Sequence, residues 1–177
     1  MIILISGSSH TGKTLVSQRL MERLGFPYLS ADHLKMGLIR SGQTALTPAD
    51  DEELLPYLWC IEKEIVKTAV ENRQNLIIEG CYIPQSWRED FSEEYLRDIR
   101  AVWLIMSEKY IRGRFADIRE NANAIEQRLD DGWLNPEELI SDNAKNLAEC
   151  KKHGCHYFLI DGEYSPELLA ERVIELL

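Results

Sequence analysis

The chain has 177 residues, 45% hydrophobic and 28% charged, a balance that fits one globular domain with a substantial core. Its 30 acidic and 20 basic side chains leave a net charge of −10, which opposes broad binding to DNA, RNA or anionic membranes. No apolar stretch approaches a membrane span, and the N-terminus has neither a basic region nor a cleavage site, so a cytoplasmic location is expected.

Residues 2–5 are an apolar run and predict the first strand. Behind it, Gly7, Ser8, Ser9, His10, Thr11, Gly12, Lys13 and Thr14 fit the pattern G-x-x-x-x-G-K-[ST] at every fixed position. Glycines there let the backbone wrap closely around a polyphosphate. The helix that follows, over about 13–24, carries Leu15, Val16, Leu20 and Leu24 near helical spacing. Its start presents unpaired N–H groups and the positive end of the dipole to an anion. Lys13 can reach β- and γ-phosphates, and the Thr14 hydroxyl can bind Mg²⁺. Gly25 ends the helix as a left-handed cap would.

Residues 26–30 predict a short second strand and 32–40 a short helix. Asp32 suits two roles, an N-cap for that helix or a carboxylate that orients or deprotonates a substrate hydroxyl. Lys35 and Arg40 either face solvent or meet an anion on the substrate. Residues 41–48 are loop. A longer helical pattern covers 50–73, with Leu54, Leu55, Leu58, Ile61, Ile65, Val66, Ala69 and Val70 in phase; Pro56 breaks it or falls in its first turn.

Residues 75–79 form an apolar strand ending in Glu79. A carboxylate at that point can hold Mg²⁺ or orient the attacking group. A helix is predicted over 84–97, a strand over 100–106 and a charged helix over about 108–129. That last helix carries Arg112, Arg114 and Arg119. Arginine forks suit charge developing on transferring phosphoryl oxygens, and an arginine-bearing lid would exclude water. The plainer alternative is an exposed helix laced with ion pairs to Asp117 and Glu120. Residues 136–152 predict a helix with Pro136 in its first turn, 157–160 the last strand and 166–177 the last helix. Trp59, Trp87, Trp103 and Trp133 are expected to be packing residues.

Cys60, Cys81, Cys150 and Cys155 form no disulfide framework. Cys150, His153, Cys155 and His156 cluster in sequence, but their spacing matches no zinc-finger pattern; Gly154 reads as a helix stop before a strand. Strands alternate with helices throughout, which predicts a parallel sheet covered on both faces. Ligands then bind at the carboxyl ends of the strands, where the glycine loop, Asp32 and Glu79 converge.

With these pieces in order, the chain resembles the small P-loop kinases of the nucleoside-kinase-like group over most of its length. The resemblance implies a three-layer α/β/α fold with a five-stranded parallel sheet in order 2-3-1-4-5 and a helical lid. It also implies transfer of the γ-phosphoryl of ATP to a small acceptor, with Mg²⁺ as the metal. One domain over 1–177 is expected, with a lid at about 108–132 and acceptor-binding helices within about 32–73. Ser30-Ala31-Asp32 with Arg40, Ile78-Glu79-Gly80 with Pro84, and Arg114-Phe115 with Arg119 resemble 2-phosphoglycerate kinases. In this picture Lys13 and the loop amides hold ATP, and Thr14 and Glu79 manage Mg²⁺. Asp32 handles the acceptor hydroxyl, Arg40 the acceptor's anion, and the lid arginines close over the moving group. The alternatives are a kinase for a nucleotide or sugar acid, or a non-catalytic ATP-binding module that regulates a partner.

Overall fold

A computed structural model describes residues 1–121 and 134–177. The elements are β1 (Ile2–Gly7), α1 (Lys13–Leu24), β2 (Tyr28–Ser30), α2 (Ala31–Arg40), α3 (Asp51–Glu71), β3 (Leu76–Glu79), α4 (Glu93–Leu96), β4 (Ile99–Met106), α5 (Glu108–Glu120), α6 (Pro136–His153), β5 (His156–Ile160) and α7 (Pro166–Ile174). The strands form one parallel sheet in the order β2-β3-β1-β4-β5, as the resemblance implied.

Strand periodicity explains the layers. All six residues of β1 are buried, so the strand is covered on both faces. Ile3 and Ile5 point into a core shared with Val16 and Leu20 of α1 and Leu169 and Val173 of α7. Ile2 and Leu4 point into a second core with Trp59, Val66 and Ala69 of α3. Trp103 of β4 is fully buried in that second core. Trp59 and Trp87 meet Phe91 edge-on, each with ring centroids 6.1 Å apart. These three tryptophans are packing residues as expected, while Trp133 lies outside the described residues. A smaller cluster of Ala31, Leu54, Leu58 and Tyr82 joins α2, α3 and the segment after β3 beyond the sheet edge.

The expected helix over 84–97 is not formed. Instead a 3-10 turn (Trp87–Asp90) precedes the single turn of α4. Tertiary anchoring wins over local propensity here. Asp90 accepts hydrogen bonds from Trp59 Nε1 at 2.8 Å and Lys63 Nζ at 2.7 Å, while Phe91 is extended and buried among the aromatic rings. Pro56 neither breaks α3 nor sits in its first turn. It stands in the second turn on the exposed side of the helix, four residues after exposed Glu52, and the helix runs on. The final helix stops at Ile174, short of the expected 177. The helix predicted over 108–129 is described to Glu120 and carries a non-helical residue, Arg114, just after Gly113.

Because every strand runs the same way, the carboxyl ends of β1, β2 and β3 share one edge. The register pairs Ile5 with Glu79 and Ser30 with Glu79. The glycine loop, the start of α2 and Glu79 are therefore side by side.

Candidate active site

The glycine loop occupies the turn between β1 and α1. Gly7 has φ of 137° and abuts the Leu104 carbonyl, so any Cβ there would clash with backbone. Gly12, φ 81°, is the N-cap of α1, and a Cβ would run into the Tyr164 hydroxyl. Only glycine fits at either position, and the left-handed backbone it permits lets the loop wrap as a polyphosphate site requires. The first turn of α1 holds no acidic residue and no side-chain cap, so its N–H groups remain for an anion. Lys13, only 7% exposed, donates from Nζ to the Ser8 carbonyl at 2.9 Å; Thr11 Oγ1 donates to the same oxygen at 2.9 Å. Ser9, His10 and Thr14 are part-exposed along the rim.

Glu79 lies at the end of β3 with 2% exposure, and the Tyr28 hydroxyl donates to its Oε1 at 3.4 Å. The donor set of Thr14 and Glu79, one hydroxyl and one carboxylate, fits Mg²⁺. That ion takes oxygen ligands and keeps most of its shell for water and phosphate.

Asp32 is the second residue of α2, and Ser30 occupies the N-cap position. Asp32 thus lies inside the first turn and not at the N-cap position, although the Ser30 side chain makes no capping bond among the described residues. Its carboxylate instead accepts an ion pair from Lys35 Nζ at 2.7 Å. Lys35 also donates to the Tyr82 hydroxyl at 2.9 Å, and Tyr82 donates to Asp51 Oδ1 at 2.9 Å. This chain of four groups joins α2, the segment after Glu79 and the start of α3. Burial, then the Asp51 charge, hold the Tyr82 phenol strongly above its usual range. Lys35 is thus neither a solvated side chain nor a free anion binder. Arg40 is exposed at the last turn of α2.

Glu62 was not anticipated. It sits on the buried stripe of α3, one turn from Leu58 and one from Val66, with no exposed surface. Neither carboxyl oxygen has a hydrogen-bond partner among the described residues. Burial, then the charges of Glu79 and Asp32, push its pKa up to about 7. The available signal was a glutamate in phase with an apolar stripe. Asn146 of α6 and Tyr164 after β5 were missed as well. Asn146 Nδ2 donates to Ser8 Oγ at 2.8 Å, and the Tyr164 hydroxyl donates to the Gly12 carbonyl at 3.4 Å.

The three arginines differ. Arg112 pairs with Glu108 at 2.8 Å and bidentately with Glu137 of α6 at 2.7 and 3.0 Å. Arg114 pairs with Asp117 at 3.2 Å. Arg119 is exposed, with no partner among the described residues. Arg112 and Arg114 are thus both ion-paired, Arg112 reaching Glu108 and Glu137 and not Glu120. Residues 122–132 of the expected lid lie outside the described residues.

Among the described residues no group of three or more His, Cys, Asp or Glu is placed to hold a metal ion. Cys150 and Cys155 are buried, and Cys155 Sγ donates to the Gln85 carbonyl at 3.3 Å. No helix among the described residues is long and apolar enough to cross a membrane.

A family model described as an AAA domain matches residues 2–137, more than half of the chain. The chain belongs to that family. No curated protein matches it in sequence. Among solved structures it is similar to a shikimate kinase from Bacteroides thetaiotaomicron, with a TM-score of 0.62 and 16% identity over 99% of this chain and 97% of that one. A shikimate kinase from Acinetobacter baumannii, solved with shikimate, gives 0.57 and 19% over 99% and 91%. A gluconokinase from Sinorhizobium meliloti 1021 gives 0.57 and 17% over 98% and 89%. This member of the AAA-domain family thus has the fold of the small P-loop kinases.

Proposed function

We propose that the protein is an ATP-dependent kinase that moves the γ-phosphoryl group to a hydroxyl of a small anionic metabolite. The observation that carries this reading is the convergence of Lys13, Asp32 and Glu79 on one edge of the sheet. A protein that only binds nucleotide needs the loop and the lysine but neither acid.

Lys13 and the N–H groups at the start of α1 hold the phosphates. Mg²⁺, bound through Thr14 and Glu79, would neutralise charge between the β- and γ-phosphates. Asp32, oriented by Lys35, accepts the proton of the acceptor hydroxyl as its oxygen bonds to the γ-phosphorus. The β–γ bridging bond breaks and its electrons leave with ADP. Arg119, with Arg112 and Arg114 beside it, supplies positive charge to the equatorial oxygens. Arg40, exposed beyond Asp32 on α2, meets the acceptor's anionic group. A metabolite with a hydroxyl and at least one anionic group supplies what these roles require, as 2-phosphoglycerate does with its carboxylate, phosphate and hydroxyl. The net charge of −10 supports a small acceptor rather than a nucleic acid or membrane, and a cytoplasmic setting supplies the ATP.

The test is ADP release from Mg·ATP across gluconate, shikimate, glycerate phosphates, other sugar acids, nucleosides and nucleotides. Acceptor-dependent ADP above background hydrolysis is the expected result. Tight ATP binding with no response to any acceptor would favour a regulatory nucleotide-binding module.

A further inference from the structure

The phosphate loop is tied to the segment after Glu79 through α6. Gln85 Nε2 donates to Asn146 Oδ1 at 2.6 Å, and Asn146 Nδ2 donates to Ser8 Oγ at 2.8 Å and to the Asp142 carbonyl at 3.1 Å. Ser8 and Asn146 are 138 residues apart, so this link belongs to the fold and not to the loop's own motif. A second contact runs parallel to it, Ser9 Oγ to Cys81 Sγ at 4.0 Å.

The direction of these bonds matters. Each amide donates toward the loop, and Ser8 Oγ receives the last of them as an acceptor. Its own hydroxyl proton donates to no described residue. Ser8 is 6% exposed, and its carbonyl already accepts from Lys13 and Thr11. A row of aligned donors polarises the terminal hydroxyl and strengthens it as a donor to an anion.

We propose that Asn146 is a positioning residue: it aims the Ser8 hydroxyl at a bound phosphate and links the phosphate loop to the acceptor-side segment at Gln85. This rests on the reading of the glycine loop as a polyphosphate site. The link gives the acceptor side a route to the nucleotide side that does not pass through the substrates themselves.

The experiment is titration of Mg·ADP by calorimetry into wild type, Asn146→Ala, Ser8→Ala, the double variant and Gln85→Ala, with thermal unfolding of each ligand-free protein. Asn146→Ala and Ser8→Ala should each weaken Mg·ADP about tenfold to a hundredfold, the worth of one hydrogen bond to a charged group. The double variant should be no weaker than the worse single variant, because both remove one relay. Gln85→Ala should weaken binding about twofold to threefold. A residue that merely supports α6 would lower the melting temperature and leave this coupling at zero. Wild-type affinity in Asn146→Ala, or single effects that multiply in the double variant, would overturn the relay. Should Asn146→Ala fold poorly, unchanged affinity in Gln85→Ala overturns it instead. Wild type that fails to bind Mg·ADP at all overturns the polyphosphate reading, and the relay with it.

Discussion

Lys13 donates its ammonium to the carbonyl of Ser8, five residues earlier in the same loop, at 2.9 Å. The loop thus closes on itself through the side chain that is to reach the phosphates. Thr11 shares that carbonyl, so loss of the lysine leaves the oxygen satisfied. Lys13→Ala is therefore expected to fold with little loss of stability and to bind Mg·ADP at least about tenfold more weakly. Calorimetric titration beside thermal unfolding checks both halves. Wild-type affinity in the variant would remove Lys13 from the site.

Asp32 and Lys35 form the next pair, at 2.7 Å. Asp32 is the second residue of α2, past the N-cap position at Ser30, and Lys35 fixes the orientation of its carboxylate. Asp32→Asn keeps the shape and removes the base. ATP affinity should persist while acceptor-dependent turnover falls about a hundredfold or more, the usual range for a lost general base. Unchanged turnover would leave Asp32 with a structural part alone, as a first-turn acid on the helix dipole.

Glu62 makes a prediction about pH. Its carboxyl titrates at about 7 in the folded chain against an ordinary value of 4.5. Between those values the folded form keeps a proton that the unfolded chain has released, so raising pH favours unfolding. The stabilising effect is complete below 4.5, declines as pH rises through the folded value, and is gone above it. The span corresponds to about 3 kcal/mol. Glu62→Gln cannot ionise. Its urea midpoint should match wild type at low pH and exceed it at pH above about 8, with the difference opening across this window. A difference that does not change with pH would mean that the buried carboxyl does not titrate there.

The alternation of strands and helices was legible because the strands are short, mostly apolar runs, and β1, β3 and β5 are closed by Gly7, Glu79 and Asp161. The phosphate loop was legible because its parts are adjacent in the chain and bound to one shape. The segment over 84–97 was misread because a pair of anchors on α3, Trp59 and Lys63, decides its path, and neither lies in the segment. Glu62 left a trace, a charge on an apolar stripe. Asn146 left none, since an asparagine on a polar helix surface looks like any other until the fold lays it against Ser8. Asp32 was half legible: its place after a strand was readable, but its position past the N-cap, as the second residue of α2, and its ion pair with Lys35 appear only in the fold.

Arg112 and Arg119 stand on the same helix in opposite states. Arg112 is held by Glu108 and Glu137, a clamp between α5 and α6 on either side of residues 122–133. Those carboxylates raise its affinity for its proton further, the Glu137 hydrogen bond most of all, and it stays charged at every working pH. An arginine already satisfied by two carboxylates gives up those bonds to meet a phosphoryl group, whereas Arg119, exposed and without a described partner, gives up only water. Arg119→Ala should therefore lose the more turnover, about a hundredfold or more, with Mg·ADP affinity nearly unchanged, because the charge it answers develops in the transition state. Arg112→Ala should cost less in turnover and, as an exposed ion pair, shift the melting temperature by no more than about 2 °C. Acceptor-dependent ADP release for the two variants decides the order. A larger loss in Arg112→Ala would mean that the clamp opens during turnover and that Arg112, not Arg119, reaches the moving phosphoryl group.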